Sequence, residues 1–291
     1  MDFKNYRYLD NKIIVKKTNN FVLKHIFENG QCFRWERTNI GTYIIVAKGR
    51  VIELEMDSGD LLIHNSNVDD FENIWINYFD FERDYCKLKG ELKHDKYLDI
   101  AINFGHGLRI LNQDPFEMIL SFIISSNNRI PMIKKAILSI SEKYGDPISY
   151  KGRIYYKFPS LENLANLSQE KFRECSVGFR DKYLYNTVKL LNEDNDIEYI
   201  MNLNDDMCHK ELQKFSGVGS KVSDCIMLFT MKKYSAFPVD VWVKRAMMKF
   251  YVAPDTSLKG IRDFGRELFK DSSGLAQQYL FYYVRENNIK V

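Results

Sequence analysis

Runs of β-branched and aromatic residues separated by turn residues dominate the first part of the chain. Residues 42–47 and 50–55 are two such runs, and Lys48-Gly49 lies between them, which predicts a tight hairpin. A third short strand is predicted at 61–63. The period then becomes helical, as the spacing of four apolar residues indicates: Phe71, Ile74, Trp75 and Phe79.

From residue 114 onward the pattern indicates helices almost to the end of the sequence. Asp114-Pro115-Phe116-Glu117 is typical of a helix start, with a capping side chain, proline in the first turn and an acid at the third position. The helix that follows is apolar nearly all round, so we expect it in the core. It runs into the polar residues 125–128. Further helices are predicted after Ser160, at 182–191, after Asn204, at 221–231, after Asp240 and at 275–285.

These patterns predict an α+β protein of two domains. A small domain containing antiparallel strands is expected at residues 1–106, and a mainly helical domain at 107–291. The longest strongly apolar stretch, 116–124, is broken by Glu117 and Ser121 and is too short to span a bilayer. The N-terminus lacks the apolar core and cleavage site of a signal peptide. We therefore expect a cytoplasmic protein without membrane association.

Charge and cysteine content exclude only a few classes of function. The 42 basic and 39 acidic residues give a net charge of +3, which neither demands nor excludes a nucleic acid partner. No two cysteines have the close spacing of zinc-ribbon or iron–sulfur ligands, so we expect free, mostly buried thiols. The five positions are Cys32, Cys86, Cys175, Cys208 and Cys225.

The sharpest local signal is the turn Gly217-Val218-Gly219, which joins a helical segment to a helix that begins near Lys221. Glycine permits backbone conformations and close approaches that other residues resist. The amides of the turn and the positive end of the second helix would form a seat for a phosphate. Taken alone, such a turn is as often purely structural.

Seven motifs place this turn in context, and together they span most of the chain. In its Gly-Val-Gly-Ser-Lys turn followed by Pro-Val-Asp-Val, the sequence resembles the helix-hairpin-helix superfamily of base-excision DNA glycosylases, and more closely its 8-oxoguanine branch. The resemblance implies a helix-hairpin-helix at about 205–231, a duplex DNA partner containing 8-oxoguanine, a monomer and no required cofactor. The motifs are 30–35 (Gly-Gln-Cys-Phe-Arg-Trp), 114–117 (Asp-Pro-Phe-Glu), 121–123 with 125–128 (Ser-Phe-Ile, Ser-Ser-Asn-Asn), 158–161 (Phe-Pro-Ser-Leu), 218–225 (Val-Gly-Ser-Lys-Val-Ser-Asp-Cys), 238–241 (Pro-Val-Asp-Val) and 274–277 (Gly-Leu-Ala-Gln).

The resemblance implies that Lys221 is the nucleophile of a glycosylase that is also a lyase. An arbitrary lysine at a helix start would be a solvated side chain, whereas the reaction needs a neutral amine, which burial and the helix N-terminus favour. Asp240 precedes a predicted helix and by itself indicates an N-cap. The resemblance adds that its carboxylate stabilises positive charge developing on the sugar and helps orient Lys221.

Four positions match the lesion pocket of the family. Gln277 and Phe281 are one turn apart on a helix, which fits either an amphipathic boundary or an amide and a ring that bind a purine. Cys225 follows Lys221 by one turn and would pack on the other face of the base. The resemblance assigns to the Gly30 carbonyl the recognition of the hydrogen on N7 of 8-oxoguanine, which guanine lacks. A simple turn glycine is the alternative.

The match to residues that contact the DNA and the opposite base is incomplete. Asn127 corresponds to the residue that fills the hole left by the flipped base, and Arg180 to one that contacts the orphan cytosine. Met132 and Phe179 stand where animal and fungal relatives have arginine and tyrosine, and methionine cannot donate a hydrogen bond. We therefore predict relaxed opposite-base specificity. Trp242 stands where the family usually has histidine beside a phosphate, so it is either a phosphate contact or a packed aromatic.

The helix-hairpin-helix is expected to carry the remaining contacts. Gly217, Gly219 and Val222 belong to the predicted DNA-contacting set. The resemblance also implies a structural cation bound by main-chain carbonyls, here those of Gln213, Phe215 and Val218.

Two other functions compete with this interpretation. One is a helix-hairpin-helix glycosylase for another damaged base; its adenine-mispair and thymine-glycol relatives often carry a four-cysteine cluster that this chain lacks, and its alkylated-base relatives lack the lysine. The other is a non-catalytic DNA-binding module. Such a module would have no use for Lys221, Asp240 and the Gln277/Phe281 face together.

Overall fold

The computed structural model describes residues 1–193 and 196–289, and its N-terminal part contains one antiparallel sheet. Six strands follow one another across this sheet in the order β1-β2-β6-β5-β4-β3. Their bounds are β1 Asn5–Leu9, β2 Lys12–Lys16, β3 Trp35–Arg37, β4 Tyr43–Ala47, β5 Arg50–Asp57 and β6 Asp60–His64.

The predicted hairpin is confirmed as β4–β5, with Ala47 opposite Arg50. Lys48 and Gly49 have φ of 50° and 70°. Two consecutive positive φ values give a turn whose twist matches that of the strands. The third predicted strand lies within β6, and the register places Leu54 of β5 opposite Ile63.

The helices begin largely where capping residues predict. Asp114 accepts a hydrogen bond from the Glu117 amide at 3.0 Å and starts the apolar helix α6. The predicted helix after residue 68 consists of α2, a π-helical segment Phe71–Trp75 and α3. The bounds are α1 Leu23–Phe27, α2 Val68–Asp70, α3 Ile76–Tyr78, α4 Tyr85–Leu92, α5 Lys96–Phe104, α6 Pro115–Ser125, α7 Ile130–Tyr144, α8 Leu161–Ala165, α9 Gln169–Arg173, α10 Asp181–Glu193, α11 Ile197–Asn202, α12 Asp205–Leu212, α13 Ser220–Thr230, α14 Val241–Phe250, α15 Leu258–Phe269 and α16 Ser273–Glu286.

Two hydrophobic cores divide the chain. The sheet packs on residues from α1 and from the helical stretch that ends near Phe81. Helix α5 belongs to the second core, because Leu98, Ala101 and Ile102 are buried there and α5 packs against α16. The change of core therefore falls near residue 82, and only Leu111 returns to the first core from beyond that point among the described residues. The domain boundary at 106/107 stays a prediction.

A second hairpin interrupts the part predicted to be helical. Strands β7, Pro147–Tyr150, and β8, Arg153–Tyr156, pair across Lys151-Gly152. These two turn residues have φ of 47° and 73°, so the Lys-Gly pair makes the same kind of turn as in β4–β5. The Tyr150 hydroxyl donates to Glu53 at 2.8 Å and ties the hairpin to the N-terminal sheet.

The burial of the cysteines agrees with the prediction of free, mostly buried thiols. Four of the five cysteines are buried, and Cys86 is exposed. Within residues 1–193 and 196–289, no helix is both long and apolar enough to cross a membrane.

A buried ion pair holds helix α13 against α15. Asp224 is completely buried, and Arg262 donates to its two oxygens at 2.6 and 2.9 Å. His209 of α12 lies 3.6 Å from the same carboxylate and 3.2 Å from the Ser220 carbonyl at the start of α13. Helices α12, α13 and α15 are thus fixed together around one charge.

Replacing Arg262 should therefore destabilise the protein strongly. Arg262→Met leaves a buried carboxylate with only His209 beside it, so we expect the free energy of unfolding to fall by about 3–5 kcal/mol. Lys259→Met is the matched control, since the Lys259 side chain is 86% exposed on the same helix, and should cost less than about 0.5 kcal/mol. Equal stabilities of the two variants in urea unfolding would contradict the role of the pair.

Candidate active site

A cleft of about 640 Å³ lies between the two domains' loops and the helices α13, α14 and α16. Nine of the residues singled out from the sequence line it, although they come from five separate stretches of the chain. These nine are Gly30, Asn127, Lys221, Val222, Cys225, Asp240, Trp242, Gln277 and Phe281.

The glycine turn joins α12 to α13 at the edge of this cleft. The Val218 amide donates to the Phe215 carbonyl at 3.0 Å. Gly217 has φ of 83°, and a Cβ atom there would lie 2.8 Å from the Tyr183 ring, so both backbone conformation and packing require glycine. Gly219 is exposed, and a Cβ atom on it would meet nothing within 4 Å. The open surface at Gly219 leaves the first amides of α13 accessible to an anion.

Lys221 is the second residue of α13 and is half-buried in the cleft wall. Its Nζ lies 5.6 Å from the centre of the Phe122 ring. Cys225, one turn further along, is buried, and burial raises its pKa to about 11 against the opposing charge of Lys221. Cys225 therefore offers a neutral thiol surface beside the amine of Lys221 in the same cleft wall.

Asp240 caps helix α14 with one carboxylate oxygen. Its Oδ1 accepts from the Trp242 and Val243 amides at 2.9 and 2.8 Å, which confirms the predicted cap. Burial raises the pKa of Asp240, while these two amides and the charge of Lys221 act in the opposite direction. The cap fixes the side chain of Asp240, which lines the same cleft as Lys221.

Gly30 and Phe281 form the opposite wall. Gly30 has φ of 84°, and a Cβ atom there would lie 3.8 Å from the Phe281 ring. The Arg285 guanidinium lies 4.9 Å from the centre of that ring and donates to the Glu28 carbonyl, so it fastens α16 to the segment before Gly30. A ring, a thiol and a carbonyl-bearing loop around one space suit a flat heterocycle with polar edges.

Gln277 is 2% exposed and supplies an amide to this wall. Its Oε1 accepts a hydrogen bond from Gln278 Nε2 at 2.8 Å. The helix that carries both residues is buried along most of its length.

Asn127 projects from the loop after α6 at the other end of the cleft. It is exposed and has φ of 49°, a left-handed conformation that asparagine tolerates. Arg180 is buried beneath this loop and donates to the carbonyls of Ser126 and Asn127 at 2.7 and 2.9 Å. The guanidinium thus supports the Asn127 loop in this structure, a role that the sequence did not predict.

The positions that depart from the family pattern lie around this loop and at the start of α14. Met132 and Phe179 are 44% and 58% exposed, so both present apolar surface outward. Trp242 is half-buried in the cleft wall, with the Arg245 guanidinium 4.6 Å from the centre of its ring. The indole is therefore held by packing and by a cation at its face.

The three carbonyls predicted to hold a cation belong to the turn rather than to the cleft. Gln213 is the C-cap of α12, and Phe215 and Val218 follow it. The Phe215 carbonyl accepts one hydrogen bond and keeps a second lone pair. Carbonyls just past a helix C-terminus lie at its negative end, which favours a cation.

Sequence reasoning gave no role in the site to several residues that line the cleft, among them Asn29, Phe122, Gln278 and Arg285. Phe122 was assigned only to the core. Gln278 could have been found from the sequence, because it is a second polar residue among the apolar residues of its helix. Asn29 and Arg285 meet the cleft through contacts between distant parts of the chain, for which the sequence has no local sign.

Comparisons with known proteins agree with this geometry. Residues 13–119 match the model of the 8-oxoguanine DNA glycosylase N-terminal domain, and residues 120–270 match the HhH-GPD superfamily of base excision DNA repair proteins. A probable N-glycosylase/DNA lyase of Methanothermobacter thermautotrophicus is 31% identical over 238 residues, which cover 75% of each chain. An Arabidopsis thaliana N-glycosylase/DNA lyase is 31% identical over 79% of this chain and 66% of its own.

A solved structure is similar over nearly the whole chain. It is the Clostridium acetobutylicum 8-oxoguanine glycosylase/lyase in complex with double-stranded DNA containing cytosine opposite 8-oxoguanine. Its sequence is 56% identical, and the TM-score is 0.98 over 99% of this chain and all of the other.

The two turn glycines should differ sharply in their tolerance of alanine. Gly217→Ala forces a side chain into the left-handed region and against Tyr183, so we expect a loss of about 2–4 kcal/mol in the free energy of unfolding. Gly219→Ala, with open space around its Cβ, should lose less than about 1 kcal/mol. Thermal or urea unfolding measures both, and similar losses at the two positions would show that Gly217 is not constrained in this way.

Proposed function

Because the chain belongs to the HhH-GPD superfamily of base excision DNA repair proteins, we propose that its cleft excises 8-oxoguanine from duplex DNA and then cleaves the abasic site. The observation that carries this proposal is that Lys221, Asp240 and the Gln277/Phe281 face line a single cleft. A non-catalytic DNA-binding module would need only the glycine turn.

Base excision requires attack on C1′ of a flipped nucleotide. Once it has lost its proton, the Lys221 amine supplies the electron pair, the bond from C1′ to the base breaks, and the base leaves with those bonding electrons. The capped Asp240 carboxylate stabilises the positive charge that develops on the sugar. Both groups sit at helix starts and line the same cleft, which limits the motion needed to reach one sugar.

The lyase step follows from the covalent bond to Lys221. Loss of a proton and opening of the sugar ring convert the adduct into a Schiff base. The Schiff base acidifies the hydrogens on C2′, so removal of one proton expels the 3′ phosphate by β-elimination. A water nucleophile would give base release without this second step.

The opposite wall supplies recognition of the base. Phe281 and Cys225 would stack on its two faces, Gln277 would bind its Watson–Crick edge, and the Gly30 carbonyl would accept the N7 hydrogen of 8-oxoguanine. Guanine would instead place a lone pair against that carbonyl, and this mismatch would disfavour the undamaged base.

Residues outside the base pocket would contact the DNA backbone and the stack of base pairs. We assign phosphate contacts to the amides around Gly217 and Gly219, with Val222 and Trp242 beside them, and the filling of the vacated stack to Asn127. Main-chain oxygens of Gln213, Phe215 and Val218 would hold a cation, which supplies positive charge near a phosphate when bound. We place the enzyme in the cytoplasm, with the chromosome in a prokaryotic cell, and expect it to act as a monomer.

Lys221→Gln tests the chemistry. The variant keeps a side chain of similar length but has no nucleophilic amine, so borohydride should trap no covalent adduct on an 8-oxoguanine duplex and base excision should fall by at least about 100-fold. Lys259→Gln, on the exposed face of α15, is the matched control and should be trapped like the wild type. Trapping of Lys221→Gln, or no adduct with the wild type, would end the proposal.

The surface around Asn127 supports relaxed selection of the opposite base. Met132 and Phe179 have no hydrogen-bond donors in their side chains, and Arg180 is engaged with loop carbonyls. Recognition of cytosine requires hydrogen-bond donors to its O2 and N3 atoms. The side chains at positions 132, 179 and 180 have few free donors for these atoms. We therefore propose that the enzyme excises 8-oxoguanine opposite adenine as well as opposite cytosine.

Single-turnover rates with each of the four opposite bases check this proposal. We expect the rates opposite cytosine and adenine to lie within about tenfold of each other in the wild type. Met132→Arg adds donors at an exposed position and should increase the preference for cytosine, whereas Met207→Arg adds the same charge at a 53% exposed site on α12 and should not. A drop of about tenfold or more opposite adenine, guanine and thymine in the wild type would refute the proposal.

A further inference from the structure

A second glutamine lies beside Gln277 in the cleft wall. Gln278 is 4% exposed and lines the same cleft. Its Nε2 donates to Gln277 Oε1 at 2.8 Å, but its own Oε1 is buried without a hydrogen-bond partner among the described residues. Gln278 thus holds an unused acceptor within the wall of the cleft.

Leaving a buried acceptor unpaired costs free energy, so such an atom in a binding cleft indicates a donor on the ligand. The neighbouring Tyr279 provides a comparison. Its hydroxyl is also buried and unpartnered, but Tyr279 does not line the cleft and its ring packs against Gly105. Position in the cleft is what separates Gln278 from this purely internal group.

The bond between the two glutamines sets the order of groups along the wall. Gln277 Oε1 accepts from Gln278 and retains one lone pair, while Gln277 Nε2 remains a donor. An amide of this kind pairs with the O6 and N1–H of a guanine-type base, donor to acceptor and acceptor to donor. Because Gln278 is bonded to the oxygen end of the Gln277 amide, it lies on the side of N1–H, and the next group along that edge of the base is the exocyclic N2 amine.

We propose that Gln278 is a specificity-determining residue whose Oε1 accepts a hydrogen bond from the N2 amine of the flipped base. This inference rests on the proposed function, since it identifies one more contact to the same base. The wall then reads three groups in turn: Gly30 the N7 hydrogen, Gln277 the O6 and N1 positions, and Gln278 the amine. The enzyme is thereby selective for 2-amino-8-oxopurines over 8-oxopurines without the amine.

The test compares two lesions that differ only in this amine, 8-oxoguanine and 8-oxohypoxanthine, in the same duplex opposite cytosine. For the wild type we expect single-turnover excision of 8-oxohypoxanthine to be slower by about tenfold. Gln278→Met keeps an unbranched side chain of similar length without the acceptor, and should excise both lesions at nearly equal rates. Tyr279→Phe removes the other buried unpartnered oxygen of the helix and should retain the wild-type ratio.

The ratio is measured within each protein, so a fraction of unfolded Gln278→Met cancels out. Equal rates on the two lesions with the wild type, or an unchanged ratio in Gln278→Met, would overturn the role of Gln278. Failure of the proposed function has a different signature, because the wild type would then release neither base.

Discussion

The geometry of the cleft depends on the buried ion pair between Asp224 and Arg262. Helix α13 carries Lys221 in its first turn, and every residue from Val222 to Thr230 is buried. A helix packed on all sides can still rotate or slide unless something specific holds it. The bidentate contact with Arg262 fixes the rotation and the axial position of α13, because guanidinium and carboxylate meet in one planar arrangement. The amine at the helix start is positioned as a consequence.

Two other side chains of the cleft, those of Asp240 and Gln277, are also positioned by helices rather than by long loops. Asp240 is oriented by two amides of α14, and Gln277 by its neighbour on α16. Each side chain is held by a bond within its own helix or to a helix it packs against. Such sites are rigid before the ligand arrives, which lowers the entropic cost of assembling the reactive geometry.

Local signals in the sequence predicted those parts of the fold that depend on neighbouring residues. The Lys48-Gly49 hairpin and the caps at Asp114 and Asp240 were found because turn and cap chemistry act over two or three residues. The β7–β8 hairpin was missed although it uses the same Lys-Gly pair, since its flanking residues lie in a stretch with helical neighbours. The sequence did not indicate that α5 belongs to the core of the helical part, because α5 packs on α16, a contact between segments far apart in the chain.

The site was predicted less evenly than the fold. The family resemblance singled out nine residues that line the cleft, yet it gave no indication that Arg180 would support the Asn127 loop or that Gln278 would line the cleft. Both features depend on where a side chain's donors find acceptors in three dimensions. Position along the chain does not contain that information.

Met132 and Phe179 stand outside both hydrophobic cores, with much of each side chain in solvent. Replacement of Met132 would disturb little packing, whereas the Phe179 ring contacts Tyr183 and lies 4.4 Å from the Arg180 guanidinium that supports the Asn127 loop. If these positions set the preference for the partner base, as proposed above, that preference can change during evolution at little cost to folding. A lineage facing a different mixture of mispairs could adjust its repair spectrum through one or two surface substitutions and leave the reaction centre as it is.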